Sequence, residues 1–114
     1  MTGFRYEPIH RIARPQLIND LESDDPPTVA NALYAAVKYE EDTEWVQNQC
    51  LRKLTSPVVM IRWAAATCLG DLAFLRRPLN TKLVIPALEL ASEDQAIADP
   101  ASFSLNMVKQ FLGP

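Results

Sequence analysis

The stretch IRWAAATCLGDL, residues 61–72, decides how this chain is built. Its apolar residues recur three and four positions apart, which is typical of a buried helix. The alanines and Gly70 are small enough to let a neighbouring helix approach closely. Just upstream, Ser56 is a candidate N-cap and Pro57 suits the first helical position. We therefore predict a central, closely packed helix over residues 57–76.

Proline positions and apolar periodicity extend this prediction along the whole chain. Pro15, Pro27, Pro57 and Pro100 stand where helices are expected to begin. No window shows the sustained alternation of apolar and polar residues that is typical of strands. The pattern predicts six helices joined by short turns, over residues 15–23, 27–40, 43–54, 57–76, 80–92 and 100–112.

The predicted helices fall into repeated pairs. Pro57, Leu69 and Gly70 recur 43 residues later as Pro100, Leu112 and Gly113. Periods of about 30 to 45 residues are typical of stacked helical repeats. We therefore predict a single domain over residues 1–114, with helical hairpins at 14–42, 43–78 and 79–114. Residues 1–13 fit no repeat, and we expect them to cap the first hairpin through Phe4, Tyr6, Ile9 and Ile12.

Two segments resemble a known repeat family. Ile61-Arg62-x-x-Ala65-Ala66-x-x-Leu69-Gly70-x-Leu72 is similar to the second-helix signature of HEAT repeats, and Val84-Ile85-Pro86-Ala87-Leu88 to their first-helix pattern. Ser56 departs from the family, which usually has Asp in this turn, and Leu105 replaces its arginine. The resemblance implies an all-α, right-handed stack of about three antiparallel hairpins, a HEAT-like α-solenoid whose second helices line the concave face. It implies no catalytic residue.

Composition and missing motifs argue against an enzyme. The chain has 114 residues and one histidine, His10, which lies before the predicted repeats. A Ser-His or Cys-His pair would depend on that residue alone. The sequence has no glycine-rich phosphate loop and no zinc-ligand spacing, so we expect neither cofactor nor metal. Cys50 and Cys68 lie on apolar stripes and are expected to be buried free thiols.

The N-terminus does not resemble a signal peptide, and no apolar run approaches the length of a membrane span. Together with the predicted free thiols, this indicates a cytoplasmic protein.

Charge is unevenly distributed, although the net charge is only −3. Residues 20–44 hold eight acidic residues against one basic residue, whereas residues 45–90 hold six basic residues against two acidic ones. The acids at Asp24, Asp25, Glu40, Glu41, Asp42 and Glu44 fall in the turns at either end of helix 27–40. They form either a solvated edge that favours helix starts or a docking surface for a basic protein.

One arc of helix 57–76 is unusually apolar for a surface. It holds Met60, Trp63, Ala64, Thr67, Asp71 and Phe74. Either neighbouring helices cover this arc, or Trp63 lies at the centre of a binding surface. The corresponding positions of the first hairpin are Asn31, Tyr34, Ala35 and Lys38. For Arg62 we expect a bridge to the next turn rather than a partner contact.

These observations favour a non-catalytic module that binds another protein. The most specific hypothesis is an immunity-type inhibitor that neutralises a basic toxin or nuclease by stoichiometric binding. Its candidate contact residues are Asp24, Asp25, Asn31, Tyr34, Lys38, Glu40, Glu41, Asp42, Glu44, Met60, Trp63, Thr67 and Asp71. The alternatives are a scaffold subunit, with a homodimer formed through Phe103, Met107 and Phe111, and a small nucleic-acid-binding module, which the acidic net charge argues against.

Overall fold

The computed structural model describes residues 9–113. Three of its helices begin directly after a residue whose side chain caps the first turn. The Asp25 carboxylate accepts a hydrogen bond from Thr28 N at 3.2 Å, and the Asp42 carboxylate accepts one from Trp45 N at 3.1 Å. The Asn80 side chain likewise accepts from Lys82 N at 3.2 Å. Each cap satisfies a backbone donor that the first helical turn leaves without a partner.

Residues 9–113 form six helices and no strand, which confirms the predicted all-α class and the number of helices. The helices are α1 (Arg14–Leu21), α2 (Pro26–Tyr39), α3 (Thr43–Lys53), α4 (Val59–Phe74), α5 (Thr81–Ala91) and α6 (Ala98–Leu112).

Two helix starts differ from the prediction by two residues, and the other four lie within one residue of it. Helix α4 begins at Val59 rather than at Pro57, because the Ser56 hydroxyl accepts from Val58 N at 3.1 Å and closes a turn before the helix. Pro57 therefore lies in that turn. Helix α6 begins at Ala98, two residues earlier than predicted. Pro100 lies in its first turn, where the missing proline N–H breaks no helical hydrogen bond.

Helix α4 lies at the centre of the molecule. It contacts α2, α3, α5 and α6, while α1 packs on α2 and α5 packs on α6. Its buried face carries Ile61, Ala65, Cys68, Leu69 and Leu72, whereas Leu75 is 52% exposed because α4 ends one residue before it. The largest fully buried side chains come from all six helices or the turn before α6: Leu17, Leu21, Leu33, Leu69, Leu72, Leu88, Ile97, Val29, Val46, Val84, Val108 and Cys50.

The contact between α4 and α6 depends on the absence of a side chain at Gly70. A Cβ atom placed there would lie 2.9 Å from Ser104 Cβ and 3.0 Å from Ser104 Cα, with Ser104 Oγ closer still. Ser104 is buried, and its hydroxyl donates to Ala66 O at 2.7 Å. Hydrogen bonding satisfies the buried hydroxyl, so the two helix backbones can approach at this point without a polar penalty.

Two arginines tie distant turns to the helices. Arg62 donates to Asp94 at 3.2 Å and to Ser56 O at 2.9 Å, which confirms the predicted bridge from α4 to the next turn. Arg77, directly after α4, donates to Glu40 O and Thr43 Oγ1, each at 2.7 Å. Arg77 thereby holds the turn between α2 and α3 against the end of α4.

Both cysteines are fully buried and free, as predicted. Burial raises the pKa of the Cys68 thiol well above its ordinary value, and a hydrogen bond with Cys50 acts in the same direction.

Of the predicted N-terminal cap, Phe4 and Tyr6 lie outside the described residues. Ile12 packs against the core, and Ile9 O accepts a hydrogen bond from Tyr39 Oη at 3.0 Å. Among residues 9–113, no helix is long and apolar enough to span a membrane.

We expect Gly70→Ala to lower the free energy of unfolding by about 1–3 kcal/mol, the usual range when atoms are forced into a packed core. The new methyl group would overlap Ser104, and Ser104→Ala would relieve this only in part because Ser104 Cβ and Cα remain. Urea denaturation measures the change. Gln110→Ala, at an exposed position of α6, is the control and should change stability by less than about 0.5 kcal/mol. A Gly70→Ala variant as stable as the wild type would contradict the close contact.

Candidate protein-binding face

The predicted apolar arc of α4 is exposed along its length. Met60 is 50%, Trp63 44% and Phe74 60% exposed, and Asp71 is also exposed. These positions follow a helical spacing of three and four residues, so they form one ridge along α4. The alternative, that neighbouring helices cover the arc, holds only for Ala64, which is buried.

Helices α2 and α6 flank this ridge and contribute their own exposed side chains. Tyr34 and Lys38 of α2 share one groove with Asp71 and Phe74, and Phe103 and Met107 of α6 share another with Thr67 and Asp71. We call this surface the α2/α4/α6 face. It comprises Asn31, Tyr34, Lys38, Met60, Trp63, Thr67, Asp71, Phe74, Phe103 and Met107.

Asp71 lies between the two grooves. The α2–α4 groove has a volume of about 230 Å³ and the α4–α6 groove about 120 Å³, and Asp71 lines both. The surroundings of Asp71 are largely apolar, and its side chain is partly buried among them. This burial raises the pKa of Asp71, although part of the residue remains exposed to solvent. Within residues 9–113, Asp71 forms no ion pair. The ridge therefore carries a carboxylate in a setting that disfavours its charge.

Tyr34 borders Asp71 on the α2 side. Burial raises the pKa of Tyr34 to about 12, and the nearby Asp71 charge acts in the same direction. A hydrogen bond from Thr67 has the opposite effect on the pKa of Tyr34. Tyr34 is therefore neutral at physiological pH and offers a hydroxyl to the face.

An aromatic cluster closes the end of the face. The rings of Phe74 and Phe111 meet edge to face with centroids 5.9 Å apart, and the Arg76 guanidinium lies 4.8 Å from the Phe111 centroid. Arg76 has a φ of +58°, a left-handed conformation that costs a non-glycine residue about 1–2 kcal/mol. Its N–H donates to Ala73 O, and the next N–H donates to Leu72 O. These bonds cap the end of α4 in a Schellman motif.

The three predicted homodimer residues differ in their surroundings. Phe111 packs against Phe74, and Met107 lies in the α4–α6 groove, whereas Phe103 is 67% exposed. Self-association through this helix stays a prediction.

The predicted acidic contact residues divide into two groups. Asp25 and Asp42 are helix caps, and the Arg14 guanidinium donates to both Glu40 carboxylate oxygens at 3.0 Å. The hydrogen bond from Arg14 lowers the pKa of Glu40. Arg14 also lies 4.1 Å from the centre of a Trp45 ring, so it ties α1 to the start of α3.

The remaining acids, Asp24, Glu41 and Glu44, are exposed. Asp24 lies before α2, while Glu41 and Glu44 flank the start of α3. The structure therefore leaves these three carboxylates available to a partner, at opposite ends of α2.

The predicted contact set omitted three residues that the face includes. Helical spacing had placed Phe74 on the apolar arc of α4, but Phe74 was left out of the contact set. Phe103 and Met107 were assigned only to self-association, because their position beside Asp71 depends on how α6 packs on α4. Among residues 9–113, no group of three or more His, Cys, Asp or Glu side chains could hold a metal ion.

We expect Asp71→Asn to stabilise the protein at neutral pH by less than about 1 kcal/mol, since an exposed carboxylate is well screened. Because the folded-state pKa is raised, folded Asp71 keeps its proton over a pH range in which the unfolded chain has lost it. Wild-type stability therefore falls as pH rises through that range.

Asparagine does not titrate. The stability gained by Asp71→Asn should therefore be complete above the pH range in which Asp71 loses its proton, and it should vanish below that range. Thermal unfolding at several pH values measures the gain. Asp24→Asn, at an exposed turn position, is the control and should show no such gain. An Asp71→Asn variant less stable than the wild type at neutral pH would contradict this account.

Comparison with known proteins finds similarity to a solved structure. No family model matches the chain, and no curated protein matches it. A chain in the crystal structure of a CDI complex from Cupriavidus taiwanensis LMG 19424 superposes with a TM-score of 0.83 and is 29% identical in sequence. The match covers 96% of this chain and 98% of that chain. The likeness therefore extends over the entire helical array.

Proposed function

We propose that this chain is an immunity-type inhibitor that binds a protein toxin and neutralises it stoichiometrically, without catalysis. The observation that carries the proposal is the likeness to a chain of a CDI complex over 96% of the sequence. CDI stands for contact-dependent growth inhibition, in which immunity proteins bind toxins. Inhibition of this kind requires only a complementary surface, and the α2/α4/α6 face offers one.

The chemistry of the face supports protein binding. Interface hot spots are enriched in tryptophan, tyrosine and arginine surrounded by contacts that exclude water. Trp63 and Met60 are about half exposed on the same ridge, and Phe103 borders it. Met60, Trp63, Phe74 and Phe103 are four of the large exposed apolar side chains and share this face, and such a patch favours an interaction site.

The arrangement of the helices supports a HEAT-like stack as part of this proposal. Helices α2, α4 and α6 contact one another in that order, and α1, α3 and α5 each pack against the helix that follows. We infer that these are three antiparallel hairpins in a right-handed stack whose second helices carry the binding face. The likeness to HEAT repeats in residues 61–72 and 84–88 favours this assignment.

The charge pattern favours a basic toxin, such as a nuclease, acting in the cytoplasm. Asp24, Glu41 and Glu44 leave exposed carboxylates at the two ends of α2. By contrast, Arg62 and Arg77 are held by groups of this chain, and Arg52 and Lys53 lie within 3.7 Å of Glu22. The basic residues of the middle segment are thus largely engaged within the protein, which favours a protein partner over nucleic acid.

Neutralisation in cells tests the function. The candidate toxin is the product of the reading frame adjacent to the one that encodes this chain. We expect its induction to stop growth, co-expression of this chain to restore growth, and light scattering to show a one-to-one complex. Growth arrest by this chain expressed alone would identify it as the toxic component instead. Failure of both rescue and complex formation would refute the proposal.

We expect Trp63→Ala to weaken toxin binding by at least about 2 kcal/mol, the range of a central hot spot. The exposed position should make the variant fold normally, which circular dichroism checks. Leu90→Ala is the matched control, because Leu90 is 70% exposed but lies on α5, away from the face. Calorimetry with the toxin measures both. Equal affinities for the two variants would place the interface elsewhere.

Charge reversal at Glu41 and Glu44 together should slow association with the toxin roughly tenfold at low salt, because steering depends on opposite charges. The effect should shrink as salt is added. Glu40 and Asp42 are left unchanged because they bind Arg14 or cap α3. Reversal of Glu89 and Glu93, which changes the net charge equally, is the control. Stopped-flow rates that fall equally in both double variants would show a net-charge effect only.

A further inference from the structure

We infer that Asp71 and the α4–α6 groove receive a basic side chain, arginine or lysine, from the protein partner. The inference rests on the proposed function and specifies the chemistry of that interface. It starts from the position of Asp71, the acidic residue of the α4 ridge, at the edge of the groove that Phe103 and Met107 border.

The groove offers the groups that a cationic side chain requires. Asp71 supplies a carboxylate, and Thr67 lines the groove with a hydroxyl group. Ser104 also lines the groove, but its buried hydroxyl donates to Ala66 O. Carboxylate and hydroxyl acceptors together match the donors of a guanidinium or ammonium group.

The apolar walls suit the rest of such a side chain. Phe103 is 67% exposed, so its ring face is available to a cation. Met107 and Pro100 line the same groove and can pack against the methylene stem of lysine or arginine. An acidic side chain would find no opposite charge in the lining of this groove.

Charge distinguishes this groove from its neighbour. Lys38 lines the α2–α4 groove on the other side of Asp71, beside Tyr34. Its ammonium group would repel a second cation there. The α4–α6 groove is lined by no basic residue, so the cation is expected to approach Asp71 from the α6 side.

The energetics of Asp71 point the same way. The free protein carries this carboxylate among apolar neighbours and without an ion pair within residues 9–113. A partner cation would supply an opposite charge while the interface excludes water, and this strengthens their attraction. Asp71 would then lower the stability of the free chain slightly and raise the affinity of the complex.

A small-molecule probe tests the groove without the toxin. N-acetyl-argininamide, titrated to 50 mM, should shift the amide NMR signals of Thr67, Gly70 and Ser104. N-acetyl-citrullinamide is the matched neutral probe and should leave them unchanged, and Asp71→Asn should abolish the argininamide response. Equal shifts with both probes, persistence in Asp71→Asn, or no shift at all would overturn the inference.

Binding to the toxin provides a second test of the inference. Asp71→Asn should weaken binding at least tenfold, and Glu89→Gln on α5 should leave it unchanged. Each exposed arginine and lysine of the toxin is then substituted in turn. One of these substitutions should weaken binding to the wild-type chain but should not weaken binding to Asp71→Asn any further. Unchanged affinity of Asp71→Asn for a toxin that the wild type neutralises would refute this inference and leave the proposed function intact.

Discussion

The contact between Gly70 and Ser104 sets the distance between α4 and α6, and most other features depend on it. Helix α4 is the only helix of the described chain that touches α2, α3, α5 and α6. Its approach to α6 therefore fixes where Phe103 and Met107 lie relative to Asp71. A wider spacing would separate the walls of the α4–α6 groove. A constraint on backbone packing thus determines the geometry of the α4–α6 groove.

Local sequence signals predicted the helices well because their physics is local. Asp25 and Asp42 each cap a helix by accepting a hydrogen bond from a backbone N–H three residues away. The proline positions predicted the helix starts to within two residues. The wrong helix start predicted at Pro57 also has a local cause. The Ser56 hydroxyl accepts a hydrogen bond from Val58 N, so the helix begins only at Val59.

Long-range contacts could not be predicted in the same way. Arg77 donates to carbonyl groups 37 and 40 residues away, and backbone acceptors leave no trace in the sequence. Arg14 and Glu40 are 26 residues apart, so nothing in the sequence paired them. As a result, Glu40 was assigned to partner binding, whereas the structure gives it a role in joining α1 to α2. The exposed ridge of α4 could be predicted because all of its residues lie on one helix. The side chains of α6 that border the ridge could not be predicted, because their position depends on how the two helices pack.

The adjoining thiols of Cys50 and Cys68 give the protein a built-in reporter. Both sulfur atoms are sealed in the core between α3 and α4, and burial keeps Cys68 in its unreactive protonated form. An alkylating reagent can reach them only when these two helices separate. The labelling rate therefore measures how often the centre of the molecule opens, and any macromolecule that clamps α4 should slow that rate even though it never touches the sulfur atoms.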